Sequence, residues 1–157
     1  MEREAVVTKR MPGSAQQVWD AVTDARNHAD WIPLTRVSTD GPPGVGQRIE
    51  AVSGPGARRG WPGVVDRMRV ERYDPPETGR PGIAVFRKVG PVMHGTATIV
   101  VVPDGPDRAV LRWSERVHLV GPLPAAWTSA LLAPVFDGML RFALARAART
   151  TDRRRAG

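Results

Sequence analysis

Ser14-Ala15-Gln16-Gln17-Val18-Trp19-Asp20-Ala21-Val22-Thr23-Asp24, followed shortly by Asn27-His28-Ala29-Asp30-Trp31-Ile32-Pro33, carries the strongest local signals in the chain. Pro12-Gly13 breaks an alternating stretch before it, and Ser14 with Gln17 three residues on forms a Ser-x-x-Gln capping box, so a helix is predicted to start at Ser14. Ala15, Val18, Trp19 and Val22 recur at i, i+3, i+4 and i+7, which gathers them on one buried face and leaves Gln16, Gln17, Asp20 and Thr23 to water. Asn27 is placed to cap a second, very short helix that turns Trp31 and Ile32 inward before Pro33 stops it. Both tryptophans are of the size that anchors a core.

Working outward, 157 residues suffice for one domain with a real core and fall short of two ordinary ones. We read residues 1–150 as that domain and 151–157, with Arg153-Arg154-Arg155, as a basic frayed tail. No apolar run suggests a membrane span, the charged opening Met1-Glu2-Arg3-Glu4 leads into no signal-like core, and a cytoplasmic protein is the expectation. The absence of cysteine excludes disulfides, thiolate catalysis and cysteine-ligated metals. A net charge of +7 invites a nucleic-acid reading. Yet 21 of the 23 basic residues are arginines spread through nearly every segment, with only Lys9 and Lys88 otherwise, so no basic-aromatic stripe forms.

After the helices the chain turns β-like. Segments near 36–39, 48–53, 64–73, 83–89, 95–102 and 109–119, with a first strand near 5–10, are separated by turn chemistry such as Asp40-Gly41-Pro42-Pro43-Gly44, Asp74-Pro75-Pro76 and Asp104-Gly105-Pro106. Short connections imply an antiparallel meander. Past Gly121-Pro122-Leu123-Pro124 the period becomes helical. Trp127, Leu131, Val135 and Met139, with Leu132, Phe136, Leu140, Ala143, Leu144 and Ala147, form an apolar stripe expected to lie on the sheet, opposite Thr128, Asp137, Arg141 and Arg149. Pro134 is expected to bend or interrupt this helix.

The opening Val18-Trp19 to Asp24 pattern, the Trp31-Ile32-Pro33 corner and this order of elements resemble the START-like (SRPBCC) superfamily of polyketide cyclases/dehydrases and lipid-transport proteins. The resemblance covers about Glu4 to Arg149 and implies an α+β helix-grip fold, with an antiparallel sheet of six or seven strands wrapped around the long C-terminal helix. It also implies a pocket. Binding of a small hydrophobic molecule, such as a polyketide, aromatic or lipid-like metabolite, is the function it suggests, with cyclase/dehydratase activity or noncatalytic binding both open.

Several chemistries are discounted from the residues themselves. His28, His94 and His118 lack zinc spacing, Gly54 to Gly60 lacks a phosphate-loop ending, and no Gly-x-Ser-x-Gly elbow occurs, so no metal or cofactor is expected. In the last strand, period-two reading sets Leu111, Trp113, Glu115, Val117 and Leu119 on the inward face. An inward Glu115 is costly unless it is hydrogen-bonded, paired with a cation or facing a wet cavity, which makes it the leading catalytic or ligand-orienting candidate. Asp66, beside Val64, Met68 and Val70, is a weaker second. Trp31, Met68, Trp113, Trp127, Phe136, Met139 and Leu140 are the expected apolar contacts in a cavity of roughly 300 Å³ or more. The rival reading is an interaction module that uses its surface to bind a protein or RNA.

Overall fold

The computed structural model describes residues 3–156, with the side chains of residue 151 and residues 153–156 outside that description. Strand β1 (Glu4–Pro12) leads through Gly13 into helix α1 (Ala15–Thr23), and a 3-10 turn (Ala25–Asn27) into the short helix α2 (His28–Trp31). Strands β2 (Thr35–Thr39), β3 (Arg48–Ser53), β4 (Val64–Asp74), β5 (Gly82–Pro91), β6 (Met93–Pro103) and β7 (Arg108–Leu119) follow, and helix α3 (Ala125–Ala156) closes the chain. All seven strands form one antiparallel sheet in the order β1-β7-β6-β5-β4-β3-β2. Thus β2 to β7 are a meander, and β1 reaches across to pair with its last strand. With α3 packed on β1 and β7, this is the expected helix-grip arrangement.

The capping box at α1 is formed as predicted. Gln17 N donates to Ser14 Oγ at 3.2 Å, and Ser14 N donates to Gln17 Oε1 at 2.9 Å. Val18, Trp19 and Val22 are buried, with Trp19 edge-on to Tyr73 at 5.0 Å between ring centroids. Asn27 behaves otherwise than expected. Its side chain donates to the carbonyl of Ala21 at 2.9 Å instead of capping α2, because the 3-10 turn before α2 already holds its backbone in helical geometry.

Helix α3 is rotated relative to the stripe read from the sequence. Thr128 and Ser129 are buried, whereas Trp127 is 72% exposed, Leu131 69% and Val135 64%. The two hydroxyls explain the rotation, since each satisfies a strand-end N–H. Leu119 N donates to Thr128 Oγ1 at 3.2 Å and Arg3 N donates to Ser129 Oγ at 3.1 Å. Each hydroxyl also donates back to its own helix, to the carbonyls of Ala125 and Ala126. Burying hydroxyls bonded in this way costs little, and buried donors left without acceptors would cost more. Further along, Leu140, Ala143, Leu144 and Ala147 enter the core as expected.

Pro134 lies inside α3 without interrupting it. Ala125–Thr150 is long and apolar enough to cross a membrane by length and composition alone, but its inner face packs on the sheet as the core helix of the domain. The expected tail, 151–157, falls largely outside the described side chains. Its backbone continues the helix through Ala156, so the helix passes the boundary set at 150.

One glycine is demanded by the sheet. Gly95 in β6 has φ +141°, and a Cβ there would sit 2.0 Å from the carbonyl oxygen of Arg116 and 2.9 Å from Val117 Cα in β7. Both obstacles are backbone. Gly95→Ala should therefore destabilise the protein by about 2 kcal/mol or more, read as a lowered midpoint in urea; an unchanged midpoint would show that the β6–β7 register is less rigid than described.

Candidate functional site

The curled sheet and α3 enclose a cavity of about 160 Å³. It is half of what the sequence reading anticipated. Its wall is mainly apolar: Ile32 follows α2, Met68 comes from β4, Phe86 from β5, Met93 and Ala97 from β6, Trp113 from β7, and Phe136 and Met139 from α3. Ala97 pairs with Glu115 across the β6–β7 ladder and with Phe86 across β5–β6, so a small side chain occupies the centre of the concave face. That smallness contributes to the space.

Three ionisable side chains meet on this floor. Asp66 of β4, Lys88 of β5 and Glu115 of β7 all line the cavity, and all project from the concave face because alternate residues of a strand share a face. Lys88 Nζ donates to Asp66 Oδ2 in a short contact, stands 3.5 Å from Glu115 Oε2 and lies 5.6 Å from the Phe136 ring centroid. The lysine and glutamate are almost wholly buried, and Asp66 is only slightly more exposed. Among the described residues, Asp66 Oδ1 is buried without a hydrogen-bond partner, while Glu115 faces both the Lys88 ammonium and the Trp113 indole. The site therefore keeps one carboxylate oxygen unsatisfied.

Charge is divided unequally within the cluster. Burial pushes the Glu115 carboxyl above its ordinary value; the Lys88 ammonium opposes this and the Asp66 charge adds to it. Burial alone would lower Lys88, but the carboxylates of Glu115 and Asp66 outweigh it and hold the ammonium above its usual range. One cation between two carboxyls leaves Asp66 with the closer contact, and burial still holds the Glu115 carboxyl above its ordinary value beside the same ammonium.

His28 of α2 forms part of the same wall. Its Nε2 lies 2.8 Å from the Val22 carbonyl, an acceptor only, so that nitrogen carries the proton, and its ring lies 5.0 Å from Trp113 and 5.5 Å from Trp31. Burial holds the imidazole below its ordinary pKa, hence neutral.

These shifts have opposite signs for stability. Glu115, raised on folding, contributes stability below the ordinary glutamate range that is lost as pH climbs through its folded value. His28, lowered on folding, contributes stability above the ordinary histidine value that is lost as pH falls towards its folded value. Glu115→Gln should therefore flatten the decline of melting temperature on the alkaline side and leave the acid limb to His28. Identical profiles for the two proteins between about pH 5 and 8 would contradict the assignment.

Of the residues singled out from sequence, Asp66, Met68, Trp113, Glu115, Phe136 and Met139 line the cavity. Trp31 and Leu140 do not; they are buried behind the wall in the core. Trp127 faces away from it, for the reason given by Thr128 and Ser129. Lys88 and His28 were missed. For Lys88 the signal was present, since Ala84 and Phe86 precede it at period two on the buried face.

A sequence profile of the polyketide cyclase / dehydrase and lipid transport family matches residues 2–151. Among curated proteins no sequence match was found. Similar solved structures include a norcoclaurine synthase from Thalictrum flavum in complex with dopamine and hydroxybenzaldehyde, at TM-score 0.66 and 16% identity, covering 96% of this chain and 86% of that one. A START superfamily protein from Mycobacterium smegmatis superimposes at TM-score 0.66 and 18% identity, covering 94% of this chain and 98% of its own. The di-domain aromatase/cyclase BexL from the BE-7585A biosynthetic pathway does so at 0.68 and 21% identity, with 96% of this chain against 46% of that protein. At these identities the likeness is one of fold.

Proposed function

Since the chain belongs to the polyketide cyclase / dehydrase and lipid transport family, we propose that it binds a small hydrophobic molecule in the cavity and holds that molecule's polar group against Asp66, Lys88 and Glu115. The observation that carries the reading is the buried Lys88 between two carboxyls on the floor of an otherwise apolar space. Desolvating three ionisable groups is expensive, and a stable fold would be served as well by apolar side chains of similar volume. A role confined to the surface leaves this cluster unexplained.

Size narrows the ligand. A cavity of roughly 150 Å³ accommodates benzene, so at about 160 Å³ the space suits a single ring or a chain of similar bulk. Within it the ammonium of Lys88 favours a carbonyl or enolate oxygen. Glu115, raised from its ordinary value, donates a proton when neutral and accepts one from an adjacent carbon when ionised. That pair of roles is what enolisation, aldol closure or dehydration requires.

Native mass spectrometry of the protein purified gently from its host tests the reading. A small molecule of single-ring bulk should travel with the wild type and be absent from Ala97→Phe, whose added ring occupies the space. Ligand-free protein in both cases, with no uptake of added benzaldehyde, would overturn it.

A further inference from the structure

The solvent face of α3 changes character along its length. Trp127, Ala130, Leu131, Pro134, Val135 and Gly138 are exposed at i, i+3, i+4, i+7, i+8 and i+11, an unbroken helical stripe with no polar side chain. Beyond Gly138 the same face carries Arg141, Phe142, Arg146 and Arg149, all exposed, with the Arg146 guanidinium 5.6 Å from the Phe142 ring centroid. No Asp, Glu, Lys or Arg occurs between Arg116 and Asp137, in a chain that is 25% charged. At the strand end beside the helix start, Val120 and Val92 are also exposed and are joined by a backbone hydrogen bond of 2.9 Å.

We propose that this face of α3 docks on an anionic lipid bilayer, with Trp127, Leu131 and Val135 entering the interface and Arg146 and Arg149 meeting the headgroups. An apolar stripe continued by arginines is the pattern of a helix lying in the membrane plane. A tryptophan left largely in water gains most from that interface. A second copy of the chain fits less well. The acids on or beside this face are Asp137, already paired with Arg141 at 2.7 Å, and Asp152, so a copy offers little negative charge to the arginines.

The face also borders the cavity. Val92 and Val135 point outward while their chain neighbours Met93 and Phe136 line the interior. An apolar ligand dissolved in a bilayer thus meets the protein beside its own cavity. Docking goes beyond the binding reading, and its test uses no ligand, so either can fail without the other.

The test is co-sedimentation of the full chain with vesicles of equal parts phosphatidylcholine and phosphatidylglycerol. Wild type should pellet with them and detach as salt is raised, because the headgroup attraction is screened. Leu131→Asp with Val135→Asp should weaken association by roughly tenfold or more, and Arg146→Glu with Arg149→Glu should weaken it and reduce its salt dependence. All four positions are exposed, so the melting temperature should hold; Leu131→Ser serves if the aspartates disturb the helix. Wild type remaining in the supernatant at low salt, or the aspartate variant pelleting equally, would overturn the proposal. A wild-type dimer in analytical ultracentrifugation that Leu131→Asp dissociates, without vesicle binding, would overturn it in favour of a second copy.

Discussion

Lys88→Met is expected to cost about 3–5 kcal/mol of stability near neutral pH, the loss typical of a buried ion pair deprived of one partner. Methionine fills the space, so the cost is electrostatic: Asp66 and Glu115 remain buried together, and Asp66 Oδ2 loses its donor. Acidification should reduce the deficit, because protonating Glu115, already raised by burial, removes the repulsion. Combining Lys88→Met with Asp66→Asn and Glu115→Gln should recover much of the loss, since no buried charge is then left alone. Urea unfolding of the four proteins checks this. A mild effect of Lys88→Met at neutral pH, unaltered by acid, would mean that the three groups are not coupled as described.

The Glu115 variants separate orientation from proton transfer. With acetophenone in deuterated water, exchange of the methyl protons reports removal of a proton from the carbon beside a carbonyl. The wild type should accelerate this exchange, and Glu115→Gln, which keeps shape and hydrogen bonding, should lower the acceleration by about 10²–10⁴-fold while still binding the ketone. Glu115→Leu should lose exchange and weaken binding together. Equal exchange by wild type and Glu115→Gln would leave Glu115 an orienting group only.

Where the sequence was informative, local geometry was decisive. The Ser14–Gln17 box and the buried Val18, Trp19 and Val22 face of α1 depend on residues within one or two turns and both formed, whereas Thr23, read as facing water, is buried and donates to the Trp19 carbonyl. Glu115 was found because β7 is long and regular, so period two sorted its faces correctly. The same rule applied to Ala84 and Phe86 reaches Lys88, but a lysine beside an exposed arginine reads as surface. The rotation of α3 was not legible. Its anchors are hydroxyl contacts from Ser129 to Arg3, 126 residues away, and from Thr128 to Leu119, whereas hydrophobic periodicity favoured Trp127 as the inward residue. The cavity's volume depends on that placement of α3, so it too lay beyond sequence patterning.

Methionine methyl groups allow the central claim to be tested directly. Met68, Met93 and Met139 line the cavity, while Met11 is buried in the core and does not line it. In carbon-13 methyl spectra of methionine-labelled protein titrated with benzaldehyde, the signals of Met68, Met93 and Met139 should move along one saturable curve while Met11 stays fixed. Uniform small shifts of all methyls, or none at saturating probe, would contradict a ligand-binding cavity at the Asp66–Lys88–Glu115 floor.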